Sequence, residues 1–377
     1  MQRLLPAAVA ALTLATLAAC DNPHPTAPAA ADGADVAKAA APNAPMVVVS
    51  GLHYPRGLAF GKDGAIYVAE AGVPEGNDRS TVGQCTQVPA PVGPWTGGFT
   101  GRISRVTMAG RRTTVADGLP SARDQLGDVE GPADIAFSDG KMYVMIGAGC
   151  AHGHPDEPSS LSRVKENGKL KMEANLSRWL RAHPVAHPEA DDFEPDGSWY
   201  SMGVREHRFY LVEANQGNLV SVRPDDGRIR RIADVSATEN GHVVPTALSL
   251  VHGSDDFLVG ELRPFPAVPG SADVLRFDEH GTVESRLHDF TAILGVANDR
   301  HGNTYVLESF KCATATPCFP SPGSGDIVKV ARDGTRSMVA SGLSFPTAMR
   351  LGLDGALYVS NFGYGPPNMG QILRIVP

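Results

Sequence analysis

Short apolar runs with alternating polar positions fill the chain, cut at close intervals by glycine, proline or an Asp-Gly pair. That pattern predicts short strands joined by tight turns. One phrase recurs: an apolar strand opening on proline or an equivalent, a turn at Asp-Gly or a substitute, and a returning strand centred on Tyr-Val. In 55–70 it reads Pro55-Arg56-Gly57-Leu58, Asp63-Gly64 and Tyr67-Val68, and in 346–361 it reads Pro346-Thr347-Ala348-Met349, Asp354-Gly355 and Tyr358-Val359. Further copies occupy 132–144 with Asp139-Gly140, 199–213 in degenerate form, 245–261, and 293–308 with His301-Gly302. A third strand is expected after each copy, at 102–106, 161–164, 219–222, 274–277, 327–330 and 372–375. A fourth usually follows, such as 113–116 or 337–340.

A repeat this small cannot bury its own faces, so the copies must stack and close on themselves. Six units over 46–377 give about 55 residues each, and the expected fold is an all-β, six-bladed β-propeller. The last copy has no fourth strand of its own. Residues 46–50 precede Gly51-Leu52 as fourth strands precede Gly118-Leu119 and Gly342-Leu343, so the N-terminal strand is expected to complete the last blade and cover its edge. In an up-and-down blade every second-to-third connection lies on one face, here the top. The long segments 71–100, 147–159, 262–271, 309–324 and 362–370 are all of this kind, and irregular segments gathered on one face of a regular scaffold point to a binding surface.

The Gly 41 and Pro 30 counts exclude a helical bundle. One short amphipathic helix is expected at 175–182, where Leu176, Trp179 and Leu180 have helical spacing. A net charge of -8 with no basic block gives no electrostatic support for a nucleic-acid partner. Residues 1–20 carry Arg3, an apolar stretch from Leu4 to Leu17, and then Leu17-Ala18-Ala19-Cys20. The stretch is too short to span a bilayer and reads as an export signal, its last four residues resembling a bacterial lipoprotein box. The expected organisation is a signal peptide at 1–19, an acylated Cys20 anchoring the chain to a lipid bilayer, a mobile Ala/Pro-rich tether at 20–45, and the propeller at 46–377. In a diderm bacterium Asp21 resembles the signal that retains lipoproteins at the periplasmic face of the inner membrane.

Four cysteines remain in the mature chain, an even count that in an exported protein predicts two disulfides with three connectivities open. Cys312 and Cys318 share one top loop, while Cys85 and Cys150 sit in top loops of adjacent blades; these pairs need the least chain movement. A carboxylate ends the second strand of four blades, Glu70, Glu213, Glu261 and Glu308, with Asn361 in the sixth and Ile146 in the second. Their expected role is to hold loop backbone donors rather than a cation. Arg56, Asp134, Tyr200, Thr246 and Thr347 open the inner strands of five blades and can converge at the channel entrance. Arg56 would grip a carboxylate or phosphate, Tyr200 offers a flat face and the threonines neutral hydrogen bonds; simple filling of the channel is the competing expectation. His152, His154, Asp156 and Glu157 share one top loop, and His183, His187, Asp191 and Asp192 share the connection to the third blade. Their spacing fits no zinc motif, so exposed polar loops and no metal are expected. No Gly-x-Ser-x-Gly elbow, His-Glu-x-x-His or phosphate loop occurs.

Several phrases resemble the ScyD/ScyE family of exported bacterial propellers over essentially 47–377: Val244-Pro245-Thr246, Gly260-Glu261-Leu262, Pro264-Phe265-Pro266, Thr100-Gly101-Arg102-Ile103, Gly118-Leu119-Pro120-Ser121 and Tyr305-Val306-Leu307-Glu308. The resemblance implies the fold and export; the family carries no agreed catalytic activity. The chain departs from it at Asp196-Gly197-Ser198-Trp199-Tyr200 and at Gly295. Glu130-Gly131-Pro132 resembles the metal-binding glutamate of gluconolactonase-type propellers, but Thr246 and Leu294 stand where further ligands belong. The expected function is therefore a lipid-anchored binding or scaffold module for a small molecule, glycan or envelope protein, acting through its top face without a cofactor. The alternative is a metal-dependent lactonase-like hydrolase or a quinone-dependent sugar oxidoreductase, since both use six-bladed propellers.

Overall fold

The computed structural model describes residues 44–238 and 241–377; the expected export signal, Cys20 and the tether up to residue 43 lie outside them. Six antiparallel sheets follow one another along the chain, each built from consecutive strands except the last. Blade 1 contains Pro55–Phe60, Ile66–Glu70, Thr96–Val106 and Arg112–Arg123, with a short fifth strand, Val129–Glu130, paired to the end of the fourth. Blade 2 contains Pro132–Ser138, Lys141–Ile146, Ser160–Val164 and Leu170–Asn175; blade 3 contains Trp199–Arg205, Arg208–Glu213, Asn218–Arg223 and Arg228–Asp234. Blade 4 contains Pro245–Leu250, Phe257–Glu261, Ala272–Phe277 and Val283–Phe290; blade 5 contains Ile293–Asn298, Thr304–Glu308, Gly325–Val330 and Arg336–Leu343. Blade 6 has only Ala348–Leu351, Leu357–Asn361 and Gly370–Ile375 from its own repeat. Met46–Leu52 supplies the fourth strand, with Met46 opposite Arg374 and Leu52 opposite Gly370, so the ring closes as the repeat pattern predicts. The third strand of blade 1 is longer than expected, which shortens its top loop to 71–95.

The recurring Asp-Gly and Tyr-Val phrase has a local cause. Asp63 accepts the Ala65 N–H at 3.2 Å, the Tyr67 hydroxyl at 3.2 Å and Arg105 Nε at 2.7 Å. Asp354 repeats this with Ala356 at 3.2 Å, Tyr358 at 3.1 Å and Arg374 at 2.9 Å. The aspartate thus shapes the first-to-second turn and ties it to the next two strands, while the glycine beside it takes the positive φ that the turn requires, 72° at Gly64.

The apolar side chains do not form one central core. They pack between neighbouring blades: Leu58 and Ile66 of blade 1 with Tyr358 and Ile372 of blade 6, and Met145 and Leu161 of blade 2 with Met202, Phe209 and Leu211 of blade 3. The same arrangement joins every other adjacent pair. A blade alone would leave both faces wet, and each large side chain buried this way is worth about 1.5–3 kcal/mol. The helix Leu176–Ala182 lies where the spacing predicts, capped by Asn175, whose side chain accepts the Arg178 N–H at 2.8 Å, and it adds Leu176 and Leu180 to the core between blades 2 and 3.

Both disulfides have the pairing of least chain movement. Cys85–Cys150, with Cα atoms 6.2 Å apart, joins the top loops of blades 1 and 2, and Cys312–Cys318, at 5.5 Å, closes the blade 5 loop on itself.

Leu52 is fully buried at the closure. Leu52→Ala should cost about 2–5 kcal/mol in chemical denaturation, and deleting 46–52 should expose the Gly370–Ile375 edge and produce concentration-dependent self-association on size-exclusion chromatography. A monomeric deletion variant with an unchanged melt would show that another element closes the ring.

Candidate functional site

Five inner strands carry a register shift just after their first residue, at Pro55/Leu58, Pro132/Asp134, Trp199/Ser201, Pro245/Ala247 and Ile293/Gly295. Arg56, Tyr200 and Thr246 sit within these bulges, with Thr347 just ahead of the blade 6 strand, so four of the five expected residues share one level at the top entrance. Asp134 belongs one residue deeper, because Ala133 takes the bulge position in blade 2.

Every one of these polar groups is already engaged. Thr246 donates to the Ile293 carbonyl at 2.6 Å and Thr347 to the Pro55 carbonyl at 2.6 Å, each reaching the inner strand of the next blade. Arg56 pairs with Asp128 at 2.5 Å and donates to the Val129 carbonyl at 2.6 Å. Tyr200 donates to the Thr347 carbonyl at 3.1 Å, and burial pushes its phenol up to about 12. Asp134 accepts the Met202 N–H at 2.8 Å, the Ile135 N–H at 2.9 Å and Arg350 Nη2 at 2.5 Å. The anion grip expected of Arg56 is thus occupied by the protein's own carboxylate.

Arg350 escaped the sequence reading and is the residue that seals the channel. Besides Asp134 of blade 2, its guanidinium donates to the carbonyls of Met202 in blade 3 at 2.6 Å, Leu248 in blade 4 at 3.3 Å and Leu58 in blade 1 at 3.4 Å. One side chain of blade 6 therefore holds four other blades. Its counterparts in the repeat are Ala59, Ala136, Gly203, Ser249 and Ala297, and a single long cation in a column of small residues was the available signal. Gly57 makes room for the partner, since a Cβ there would lie 1.9 Å from Asp134 Oδ1.

The acidic ring performs the backbone role expected of it. Glu70 accepts the His53 N–H at 2.6 Å, Glu213 the Ser198 N–H at 3.1 Å, Glu308 the Thr291 N–H at 2.7 Å and Asn361 the Ser344 N–H at 2.9 Å. In each case the acceptor holds the connection that enters its own blade. Glu261 differs, accepting the Asp273 N–H at 3.2 Å and pairing with Arg263 at 2.9 Å.

The histidine loop of blade 2 is not the exposed polar loop that its composition predicts. His152 and His154 are fully buried, His152 edge-on to Trp95 and His154 edge-on to Phe99. The reason is the Cys85–Cys150 bridge, which draws this loop under the blade 1 insertion. His183 and His187 are exposed, as expected. Beside His152 lies a buried acidic group: Glu194 Oε2 is 3.7 Å from His152 Nε2, and Glu130 accepts the Ser198 hydroxyl at 3.0 Å. Burial raises the Glu130 carboxyl and drives Glu194 well above the usual range, with Glu130 adding to the effect on Glu194.

Space decides what can enter. The cavity at the top entrance, lined by Arg56, Glu130, Trp199 and Tyr200, is about 20 Å³, room for about one water. A quinone cofactor does not fit there, since small-molecule pockets run to about 300 Å³ or more. A divalent metal on Glu130 does not fit either: the Thr246 hydroxyl across the channel is committed to Ile293, and Leu294 offers no donor. The larger concavity, about 1140 Å³, opens on the opposite face around Arg205, His252, Asn298, Asp354 and the outer side of Arg350.

The molecule is a six-bladed β-propeller, sealed near mid-channel. No protein-family model matches the sequence, and no curated protein matches it. Among solved structures it is similar to an oxidoreductase described as a glucose dehydrogenase from Thermus thermophilus, with TM-score 0.54 and 15% identity over 88% of this chain and 99% of that one. It is also similar to regucalcin, a calcium-binding protein from Agrobacterium tumefaciens, with TM-score 0.52 and 12% identity over 89% and 95% of the two chains. A gluconolactonase from Xanthomonas campestris gives TM-score 0.51 and 8% identity over 88% and 89%. At these identities the likeness shows the fold alone.

Burial raises Glu308 to about 7, helped by Asp326 and opposed by Lys311, and raises Glu261 to about 7 against Arg263. A carboxyl raised in the folded state stabilises fully below its unfolded value and loses that contribution as pH climbs through the folded one. The melting temperature of the native chain relative to Glu308→Gln should therefore fall between about pH 4.5 and about pH 7 and level off above. A difference independent of pH would show that Glu308 does not titrate in this window.

Proposed function

We propose that this chain is an exported, lipid-anchored propeller of the ScyD/ScyE type that recognises a glycan, small molecule or envelope protein with its top loops, and not through its channel. The observation that carries the reading is the contrast between a sealed axis and a braced loop surface. Two disulfides fix top loops, and the blade 4 and blade 5 loops are joined by paired backbone bonds between Ala267 and Cys318, at 2.9 and 3.0 Å. On that frame Phe265 and Phe319 stack in parallel, with centroids 6.3 Å apart, and Phe319 remains 65% exposed. Exposed aromatic faces held rigid suit a sugar ring or an apolar side chain, because little further ordering is needed on binding. Lipidation at Cys20 would place this surface at the periplasmic face of the inner membrane in a diderm host.

The alternative, a lactonase-like or sugar-oxidising enzyme, draws on the names of the structural relatives and on Glu130 at the entrance. The residues opposite Glu130 supply no ligands to complete such a site.

Two measurements test the reading. Cys20→Ser should move the protein from the membrane fraction to the soluble periplasmic fraction. In a screen of glycans and envelope metabolites, Phe265→Ala with Phe319→Ala should weaken a hit at least about tenfold, while Arg205→Ala in the opposite cavity should leave it unchanged. A hit sensitive to Arg205 but not to the phenylalanines would move the site to the other face. Turnover of sugar lactones abolished by Glu130→Gln would replace the binding reading with the enzymatic one.

A further inference from the structure

On the top side of blade 3, two connections that are distant in sequence meet. The segment 189–192 forms a turn in which the Asp192 N–H donates to the Glu189 carbonyl at 3.2 Å and the Glu189 N–H to Asp192 Oδ2 at 3.0 Å. Asn215 fixes the segment from below, donating to the Asp191 carbonyl at 2.9 Å and accepting the Glu194 N–H at 2.9 Å. From the connection into blade 4, His242 reaches this turn. Its Nδ1 lies 3.2 Å from Asp192 Oδ1 and 3.8 Å from Asp191 Oδ1. One ligand atom each from Glu189, Asp192 and His242 can be taken so that all lie within 4.8 Å of one another.

Two further observations point to a ligand. The Asp192 and His242 side chains are only 2% and 8% exposed, yet Asp192 Oδ1, His242 Nδ1 and Glu189 Oε2 are buried atoms with no hydrogen-bond partner beyond one another. Such groups are costly unless something satisfies them. Among the described residues no lysine or arginine pairs with Glu189, Asp191 or Asp192, so three carboxylates converge on one imidazole with no fixed cation beside them.

We propose that Glu189, Asp192 and His242 hold a divalent first-row metal ion of the zinc type, with Asp191 or a water as fourth ligand. Ligand atoms around a tetrahedral ion with bonds of about 2.1 Å stand about 3.4 Å apart, close to the separations from His242 Nδ1 to the two aspartates. An imidazole mixed with carboxylates selects such a metal over calcium, which prefers six to eight oxygens. The ion would clasp the connection between blades 2 and 3 to the connection between blades 3 and 4. It would be separate from Glu130 and the channel axis.

The test uses the untagged mature chain, stripped with a chelator and dialysed against zinc. Bound metal and the melting temperature are then measured for the native chain, His242→Ala, Asp192→Asn and, as a control, His183→Ala. The native chain and His183→Ala should each retain about one zinc and melt higher with zinc than without, calcium giving no shift. Each of the other two variants should bind zinc at least about tenfold more weakly. Should His242→Ala fail to fold, Glu189→Gln, on a half-buried side chain, gives the same reading. No retained zinc in the native chain, or retention undiminished in both His242→Ala and Asp192→Asn, would overturn the site, as would a loss in His183→Ala equal to theirs.

Discussion

Six inner strands meeting around one axis bring backbone carbonyls close to a narrow channel, and no blade can satisfy all of them alone. Arg350 answers this with one planar group. Its fork reaches carbonyls of blades 1, 3 and 4 while its charge is balanced by Asp134 of blade 2. A guanidinium suits the position because it offers five donors in fixed directions, where a lysine would offer a point charge. The carboxylate is itself held in place by the Met202 and Ile135 amides. Pairs of this kind do little for stability when compared with good apolar packing, but removing Arg350 is severe, because it leaves the buried Asp134 carboxylate without its counter-charge.

Much else follows from that bolt. With the axis closed, the residues above it turn to holding blades together: Thr246 and Thr347 each bridge to the following blade, and Arg56 is neutralised by Asp128. Four of the acidic-ring positions extend the same logic outward, pinning the connection into each blade to the end of its second strand. On the top surface, disulfides and loop-to-loop backbone pairing supply rigidity that the blades do not.

The architecture was legible because its causes are local and repeated. Asp63 and Asp354 organise their turns with residues a few positions away, and the Leu52 strand could be assigned by its likeness to other fourth strands. Residues 175–182 read as a helix from spacing alone, and both disulfides followed from loops placed by blade order. What remained hidden depends on single residues meeting across the ring. Arg350 and Asp134 are 216 positions apart, each an exception in an otherwise small column, and only the closed ring makes them complementary. His152 and His154 looked exposed because histidine beside proline and acid normally is. Their burial depends on the blade 1 insertion folding over them, which no local pattern encodes. His242 was overlooked for a related reason, since its carboxylate neighbours lie in a different connection.

The central claim is that the Arg350 and Asp134 pair is a structural bolt across the axis and not part of a ligand site. A double-mutant cycle measured by chemical denaturation tests it most directly, using Arg350→Ala, Asp134→Ala and the combination. A bolt predicts that Arg350→Ala, which orphans a carboxylate only 1% exposed, costs about 3–5 kcal/mol, that Asp134→Ala costs less because Arg350 is 24% exposed and keeps its carbonyls, and that the double change costs clearly less than their sum. Single variants within about 0.5 kcal/mol of the native chain, or losses that simply add, would contradict it.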